Sequence, residues 1–149
     1  MATPIGPLAR DALLSAVGDA MSALHERYHH RPPGTVQCRL MGDDLLACVL
    51  GGVYTDVEKT LIELERAPLV QDNRNAFQTA MQDRFVAVVE QLSGKRVAHF
   101  VSTHSIGPDL EIELFFLADR PAAGTRVRLC LLPHSRTSVW TLAGPGSTE

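Results

Sequence analysis

Residues 35–66, which read TVQCRLMGDDLLACVLGGVYTDVEKTLIELER, carry the signals for a β-hairpin and for the helix that follows it. Apolar and polar residues alternate over 35–40, as in a strand with one buried face. A short turn at 42–44 leads to an unbroken apolar run over 45–50, which is typical of a strand covered on both faces. This stretch therefore predicts two neighbouring strands joined by a tight turn.

The same stretch also contains the start signal of a helix. Thr55 is a favourable N-cap residue, and Glu58 follows three positions later, so the two residues form a capping box. We expect this helix over about residues 56–66, and the capping box by itself accounts for Glu58.

Two longer helices flank this central region. The first begins near Pro7 and ends before the turn-forming residues 31–34, which include two prolines and a glycine. The other opens at Pro68 and ends at Gly94. Its buried face carries apolar side chains at four-residue steps, namely Phe77, Met81 and Phe85.

Two strands follow the last helix. In the first, Val97 and Val101 are expected on one side, with Ala98 and Phe100 on the other. In the next strand two sets of residues alternate, namely Ile112, Leu114 and Phe116 with Glu111, Glu113 and Phe115. We interpret the two glutamates as the exposed face of that strand.

The element order is αββααββ plus a C-terminal β-hairpin, which predicts an α+β fold with one mixed sheet covered by three helices in a two-layer sandwich. Residues 1–6 are expected to be disordered, 7–120 to form the main domain, 121–142 the hairpin, and 143–149 a disordered tail. The order also matches the type II KH fold, a nucleic-acid-binding module. However, the junction at 66–70 lacks the glycine loop of that module.

Composition limits the classes of function. The chain has 149 residues and a net charge of −3, which disfavours non-specific binding to nucleic acid or anionic membranes. The longest apolar run, at 45–50, is too short to span a bilayer, and residues 1–7 do not resemble a signal peptide. Three cysteines without a close pair in the sequence argue against a disulfide framework. These features predict a soluble cytoplasmic protein with reduced thiols.

Histidines and cysteines are the residues of this chain that could bind a metal ion or act as nucleophiles. His25 and His29 lie within an H-E-x-x-H pattern, which is typical of zinc peptidases. The pattern falls at the end of a helix with no evident third ligand, so we interpret the histidines as a solvated helix terminus. Cys38 and Cys48 are expected to be buried inside strands. No metal site, cofactor site or catalytic residue is therefore predicted.

One candidate polar site remains. His104 and Asp109 flank the loop between the two later strands, and Thr103 lies beside them. A histidine and a carboxylate that lie close together can perform acid–base chemistry. The alternative interpretation is a polar turn held by Asp109.

Several segments together resemble one family. They include MSALHERY at 21–28, LGGVYT at 50–55, EKTL at 58–61, RNAFQTAM at 74–81, LSGKRV at 92–97 and DLEIELFFL at 109–117. In this order they resemble the MpsC-like family of small bacterial proteins, over roughly residues 10–118. The family takes its name from a membrane-potential-generating, sodium-translocating system. In the family, the stretch at His25–Tyr28 has no known metal role.

The resemblance implies a non-enzymatic accessory or regulatory protein linked to a sodium- or bicarbonate-translocating membrane system. A KH-like nucleic-acid-binding module and a small-molecule enzyme remain the alternatives. We also expect a homodimer, because one layer of helices covers only one face of the sheet. Either Phe115 or Phe116 is then left uncovered, unless the C-terminal hairpin packs there.

Overall fold

The computed structural model describes residues 9–119, 128–130 and 138–143 of the chain. These residues form helices and strands in the order α1 (Arg10–His29), β1 (Thr35–Met41), β2 (Leu45–Gly51), α2 (Asp56–Glu63), α3 (Ala67–Ser93), β3 (Arg96–Ser105), β4 (Leu110–Ala118), β5 (Arg128–Cys130) and β6 (Ser138–Ala143). The predictions of disorder at 1–6 and 144–149 concern residues outside the described ranges, whereas Ala143, the first residue of the predicted tail, belongs to β6.

The strands form one sheet with the order β1-β2-β4-β3-β6-β5, and every described pair is antiparallel. The predicted α+β class is confirmed, but the predicted mixed sheet is wrong. A parallel pair would arise, for example, if β3 paired directly with β2 after the helical crossover. Instead β4 pairs with β2, because the β3–β4 hairpin places its second strand next to the first hairpin.

The helix termini follow the sequence signals. The Thr55 side chain accepts a hydrogen bond from the backbone N–H of Glu58, and the Glu58 side chain accepts one from the backbone N–H of Thr55. The predicted capping box is therefore present. Helix α3 ends at Gly94, whose φ of 70° favours glycine.

The core lies between the helices and one face of the sheet, here called the inner face. Val17 and Met21 of α1 and Val89 of α3 are almost completely buried there. From the sheet, Leu46, Phe100 and Phe115 point into the same layer. The ring centroids of Phe100 and Phe115 lie 4.9 Å apart, which is within the range of favourable aromatic pairs.

A β-bulge changes the predicted faces of β3. The pairing with β4 shifts between Val97 and His99, so Val97 and Phe100 are both buried. The prediction that Val97 shares a face with Val101 is therefore wrong, because an extra residue in the strand interrupts the simple alternation.

The other face of the sheet, here called the outer face, is also apolar. Phe116 of β4 is 37% exposed there, whereas its neighbour Phe115 is fully buried on the inner face. Strand β6 pairs with β3, so the C-terminal hairpin extends the sheet sideways within the same chain.

Candidate functional site

A buried arginine lies at the centre of the polar part of the inner face. Arg74 of α3 is 0% exposed, and its Nε and Nη2 each donate to a carboxylate oxygen of Glu58 at 2.7 Å. Nη2 also donates to the carbonyl of Val53 at 2.7 Å, and Nη1 donates to Glu111 Oε2 at 3.3 Å. One guanidinium therefore joins α3 to α2, to the loop after β2 and to β4.

The loop between β2 and α2 is held by two further groups. The carboxylate of Asp109 accepts hydrogen bonds from the backbone N–H groups of Val53 at 2.9 Å and Tyr54 at 3.3 Å. The Tyr54 hydroxyl donates to the carbonyl of Ser105 at 2.7 Å, and its ring lies 5.1 Å from the Arg74 guanidinium carbon. Burial raises the pKa of Tyr54 to about 12, so the hydroxyl remains a donor at neutral pH.

Glu58 has a larger role than the capping box alone predicted. Both of its oxygens bind Arg74, while Oε2 also receives the capping hydrogen bond from Thr55 at 2.8 Å. Burial by itself would raise the pKa of Glu58, but the hydrogen bonds from Arg74 and Thr55 outweigh it and hold that pKa below its ordinary value. Glu58 is therefore ionised and forms a buried, two-pronged ion pair.

The prediction that Glu111 and Glu113 mark an exposed face is wrong. Their side chains are 1% and 0% exposed, and they point into the inner face together with Phe115. Alternation shows which residues share a face but not which face is buried, and here both faces of β4 carry apolar side chains. The signal that sequence reasoning missed was Arg74, a cation at a core-facing position of α3 that requires buried carboxylates.

Glu113 is the most deeply buried carboxyl group of this cluster. Its Oε1 accepts a hydrogen bond from the Ser102 hydroxyl at 2.9 Å, while among the described residues Oε2 has no hydrogen-bond partner. Burial, reinforced by neighbouring Glu111, raises the pKa of Glu113 far above its ordinary range. Glu113 therefore keeps its proton to a higher pH than an exposed carboxyl group does.

The structure places the three residues of the predicted polar site in two environments, one for Asp109 and one for Thr103 and His104. Asp109 binds the backbone of residues 53–54 in the loop between β2 and α2, rather than the turn in which it lies. Thr103 and His104 line a cavity of about 580 Å³ between β3 and the start of α3, together with Ser102, Asp72 and Asn75. Ser102 therefore connects the wall of the cavity to buried Glu113. Burial lowers the pKa of His104, so its imidazole is neutral at pH 7.

The prediction that His25 and His29 are solvated is wrong. His25 is 3% exposed, and its Nδ1 lies 3.1 Å from the carbonyl of Arg31. The His29 ring contacts both the His25 ring and the Phe77 ring, with centroid distances of 4.4 and 4.2 Å. Burial lowers the pKa of His25 and lowers that of His29 to about 4, so both rings pack as neutral aromatic groups. Within the described ranges, no group of three histidine, cysteine or acidic residues is placed to hold a metal ion.

The buried cluster is shielded from solvent by the elements around it. The charged atoms of Arg74, Glu58 and Glu111 face one another inside the domain. A molecule in the adjacent cavity would contact Ser102, Thr103 and His104 before it reached any of the cluster's carboxyl groups. The cluster therefore links α3, α2, the loop after β2 and β4 through buried charged groups.

Fold and site together define a small α+β protein with an antiparallel sheet, a helical layer on its inner face and a buried ionic cluster between them. The sequence pattern of the family described as "Na+-translocating membrane potential-generating system (MpsC)" matches residues 9–119. The chain belongs to this MpsC family. No curated protein and no solved structure gave a significant match. Within residues 9–119, 128–130 and 138–143, no helix combines the length and apolar character needed to cross a membrane.

The Arg74→Met variant tests the buried ion pair. Removing the guanidinium leaves the carboxylates of Glu58 and Glu111 buried without their cation, so we expect a loss of about 3–5 kcal/mol in the free energy of unfolding. Lys59→Met is the control, because Lys59 pairs with Asp56 at the surface and should change stability by less than ~1 kcal/mol. Urea denaturation would measure both variants, and equal losses would contradict the assignment.

The Glu113→Gln variant tests the raised pKa of Glu113 in the folded protein. The folded protein holds a proton that the unfolded chain releases above the ordinary carboxyl pKa of 4.5, so wild-type stability falls as pH rises through the folded-state pKa. The glutamine amide does not titrate. The free energy of unfolding of the variant should therefore exceed that of the wild type by up to ~1.4 kcal/mol for each pH unit between the unfolded-state and folded-state pKa values of Glu113. The advantage should vanish as the pH falls towards the unfolded pKa.

Thermal and urea unfolding across a pH series would measure this difference. Glu63→Gln, on the exposed side of α2, is the matched control and should show no such trend. A Glu113→Gln protein that is less stable than the wild type by the same amount at every pH would show that Glu113 is ionised in the folded state.

Proposed function

We propose that this protein is a non-enzymatic, cytoplasmic accessory or regulatory protein of a sodium- or bicarbonate-translocating membrane system. The observation that carries the proposal is the family match over residues 9–119, whose description names a Na+-translocating, membrane-potential-generating system. The protein contributes to that system by contact with its partners, through the surfaces of a folded domain.

The geometry of the site supports a non-enzymatic role. The ionisable side chains at the centre of the buried cluster, Glu111, Glu113 and Arg74, are at most 1% exposed. Catalytic groups have to reach the reacting atoms of a substrate, whereas these side chains satisfy one another and link four elements. Their effect is to hold the sheet and the helical layer in one arrangement.

A transport assay tests this role. Inside-out membrane vesicles that contain the sodium-translocating system would be supplied with purified protein, and a potential-sensitive dye would follow the sodium-dependent potential. We expect the protein to change the rate or extent of that potential, and to have no effect on vesicles that lack the system. An unchanged potential at saturating protein, together with no sedimentation of the protein with these vesicles, would contradict the proposal.

We further propose that the protein is a homodimer formed through the outer face. The register places apolar residues side by side on that face, with Leu45 opposite Phe116, Ala47 opposite Leu114 and Val49 opposite Ile112. Two apolar sheet faces of this kind can stack about 10 Å apart across a two-fold axis. A second copy would therefore remove the apolar residues of the outer face from water in a single contact.

The Phe116→Glu variant tests the dimer. A charge at the 37% exposed Phe116 would be desolvated in a stacked pair of sheets, so we expect the variant to be monomeric and the wild type to be dimeric. Val57→Glu is the control, since Val57 is 71% exposed on α2 in the helical layer. Light scattering coupled to size exclusion gives the mass directly, and a wild-type mass near 16.2 kDa would contradict the dimer.

The two alternative functions stay predictions with separate tests. A small-molecule enzyme would use the cavity lined by Ser102, Thr103 and His104. A KH-like nucleic-acid-binding module would bind RNA or single-stranded DNA with steep salt dependence, which fluorescence polarisation would detect.

A further inference from the structure

Two cysteines face each other across the first hairpin. Cys38 of β1 pairs directly with Cys48 of β2, and their sulphur atoms lie 3.0 Å apart. In the sequence these residues are ten positions apart and formed no evident pair, but the hairpin register brings them together. Both are free thiols, with exposures of 9% for Cys38 and 0% for Cys48.

The backbone geometry at this pair fits a disulfide. Residues directly opposite each other in an antiparallel pair have Cα atoms about 4.5 or 5.5 Å apart, and both separations fall within the ~4.4–6.8 Å found for disulfides. The sulphur atoms already lie in contact, so closure to a bond of ~2.05 Å requires a movement of about 1 Å. Side-chain rotation with slight adjustment of the strands is enough for this change.

A groove gives access to one of the two thiols. It has a volume of about 370 Å³, runs between α1 and β1, and is lined by Ser15, Gly18, Ser22 and Cys38 among others. Gly18 leaves the approach open, because a Cβ at that position would lie 3.7 Å from Cys38 Sγ. Cys48 does not line this groove and lies deeper in the core. A small oxidant therefore reaches Cys38 first.

We propose that Cys38 and Cys48 form a peroxide-sensitive modification site, in which Cys38 is oxidised from the α1–β1 groove and Cys48 resolves it to an intramolecular disulfide. Hydrogen bonding between the two thiols lowers the pKa of Cys38, whereas the same contact and burial raise the pKa of Cys48. Cys38, with the lower pKa and access to the groove, has the properties of an attacking cysteine, and buried Cys48 is placed as the resolving cysteine.

The reaction balances with hydrogen peroxide as the oxidant. The Cys38 thiolate attacks one peroxide oxygen, so an S–O bond forms, the O–O bond breaks, and the departing hydroxide takes up a proton to become water. The Cys48 sulphur then attacks the sulfenic sulphur of Cys38, which forms the S–S bond and breaks the S–O bond. The hydroxide that leaves takes the Cys48 proton, so two thiols and one peroxide give one disulfide and two waters.

The disulfide would link the edge strand of the sheet to its neighbour, and it would lie next to the buried ionic cluster. Strand β1 is the last strand on its side of the sheet, and the bond would link it covalently to β2. On its other side Cys48 lies opposite Glu113 in the β2–β4 register. Oxidation would therefore fix the hairpin directly next to the buried Glu113 carboxyl group.

The experiment uses the full chain with Cys130→Ser, so that Cys38 and Cys48 are its only thiols. After exposure to hydrogen peroxide, we expect the number of titratable thiols to fall from two to none and the intact mass to fall by two hydrogen atoms. Peptide mapping without reductant should link residue 38 to residue 48, and the Tm should rise by roughly 5 °C and return after reduction. Adding Cys48→Ser should leave a sulfenic acid on Cys38 that dimedone labels.

Two comparisons can overturn the proposal. Gly18→Leu leaves both thiols in place but narrows the groove, so we expect disulfide formation to slow at least tenfold, and an unchanged rate would refute access from the groove. The same chain unfolded in urea shows whether the peroxide dose is sufficient. If the folded protein keeps both thiols under a dose that oxidises the unfolded chain completely, the site does not exist.

Discussion

The arrangement of this domain depends on the burial of one positive charge. The Arg74 guanidinium has no exposure to solvent, and its donors contact a helix, a loop carbonyl and a central strand. Removing an arginine from water costs several kcal/mol, which only well-placed acceptors can offset. The position of Arg74 therefore depends on three acceptors, which are Glu58, Val53 and Glu111. The capping box positions Glu58, the hydrogen bonds of Asp109 position Val53, and the register of β4 positions Glu111.

The sequence predicted the parts of the fold that local signals control. The capping box at Thr55 and the stop at Gly94 each depend on a few neighbouring residues, and both were found as expected. The strand neighbours were harder to predict, because the choice between β3 and β4 as the partner of β2 depends on contacts across the whole sheet. Likewise, the alternation in β4 was read correctly, but its inward side was assigned to the wrong residues.

The candidate site was less accessible to sequence reasoning than the fold. Glu111, Glu113 and Ser102 come together only through register, and no short motif connects them to Arg74. His25 and His29 misled the interpretation in the opposite direction, because polar residues near a helix end usually face water. Their rings instead pack against each other and against Phe77. In both cases burial by a distant element, rather than local propensity, determined the role of the residue.

The position of β4 between β2 and β3 also has a consequence for how the chain folds. The β1–β2 and β3–β4 hairpins each join residues that are close in sequence, so each can form early and by itself. The β2–β4 pairing joins residues as far apart as Leu45 and Phe116, and α2 and α3 lie in the intervening chain. Closing so long a loop loses chain entropy before any contact compensates for it, so we expect this pairing to form later than the two hairpins. The order of the strands thus predicts that the centre of the sheet assembles after its two hairpins, and that the contact between Arg74 and Glu111 of β4 forms with it.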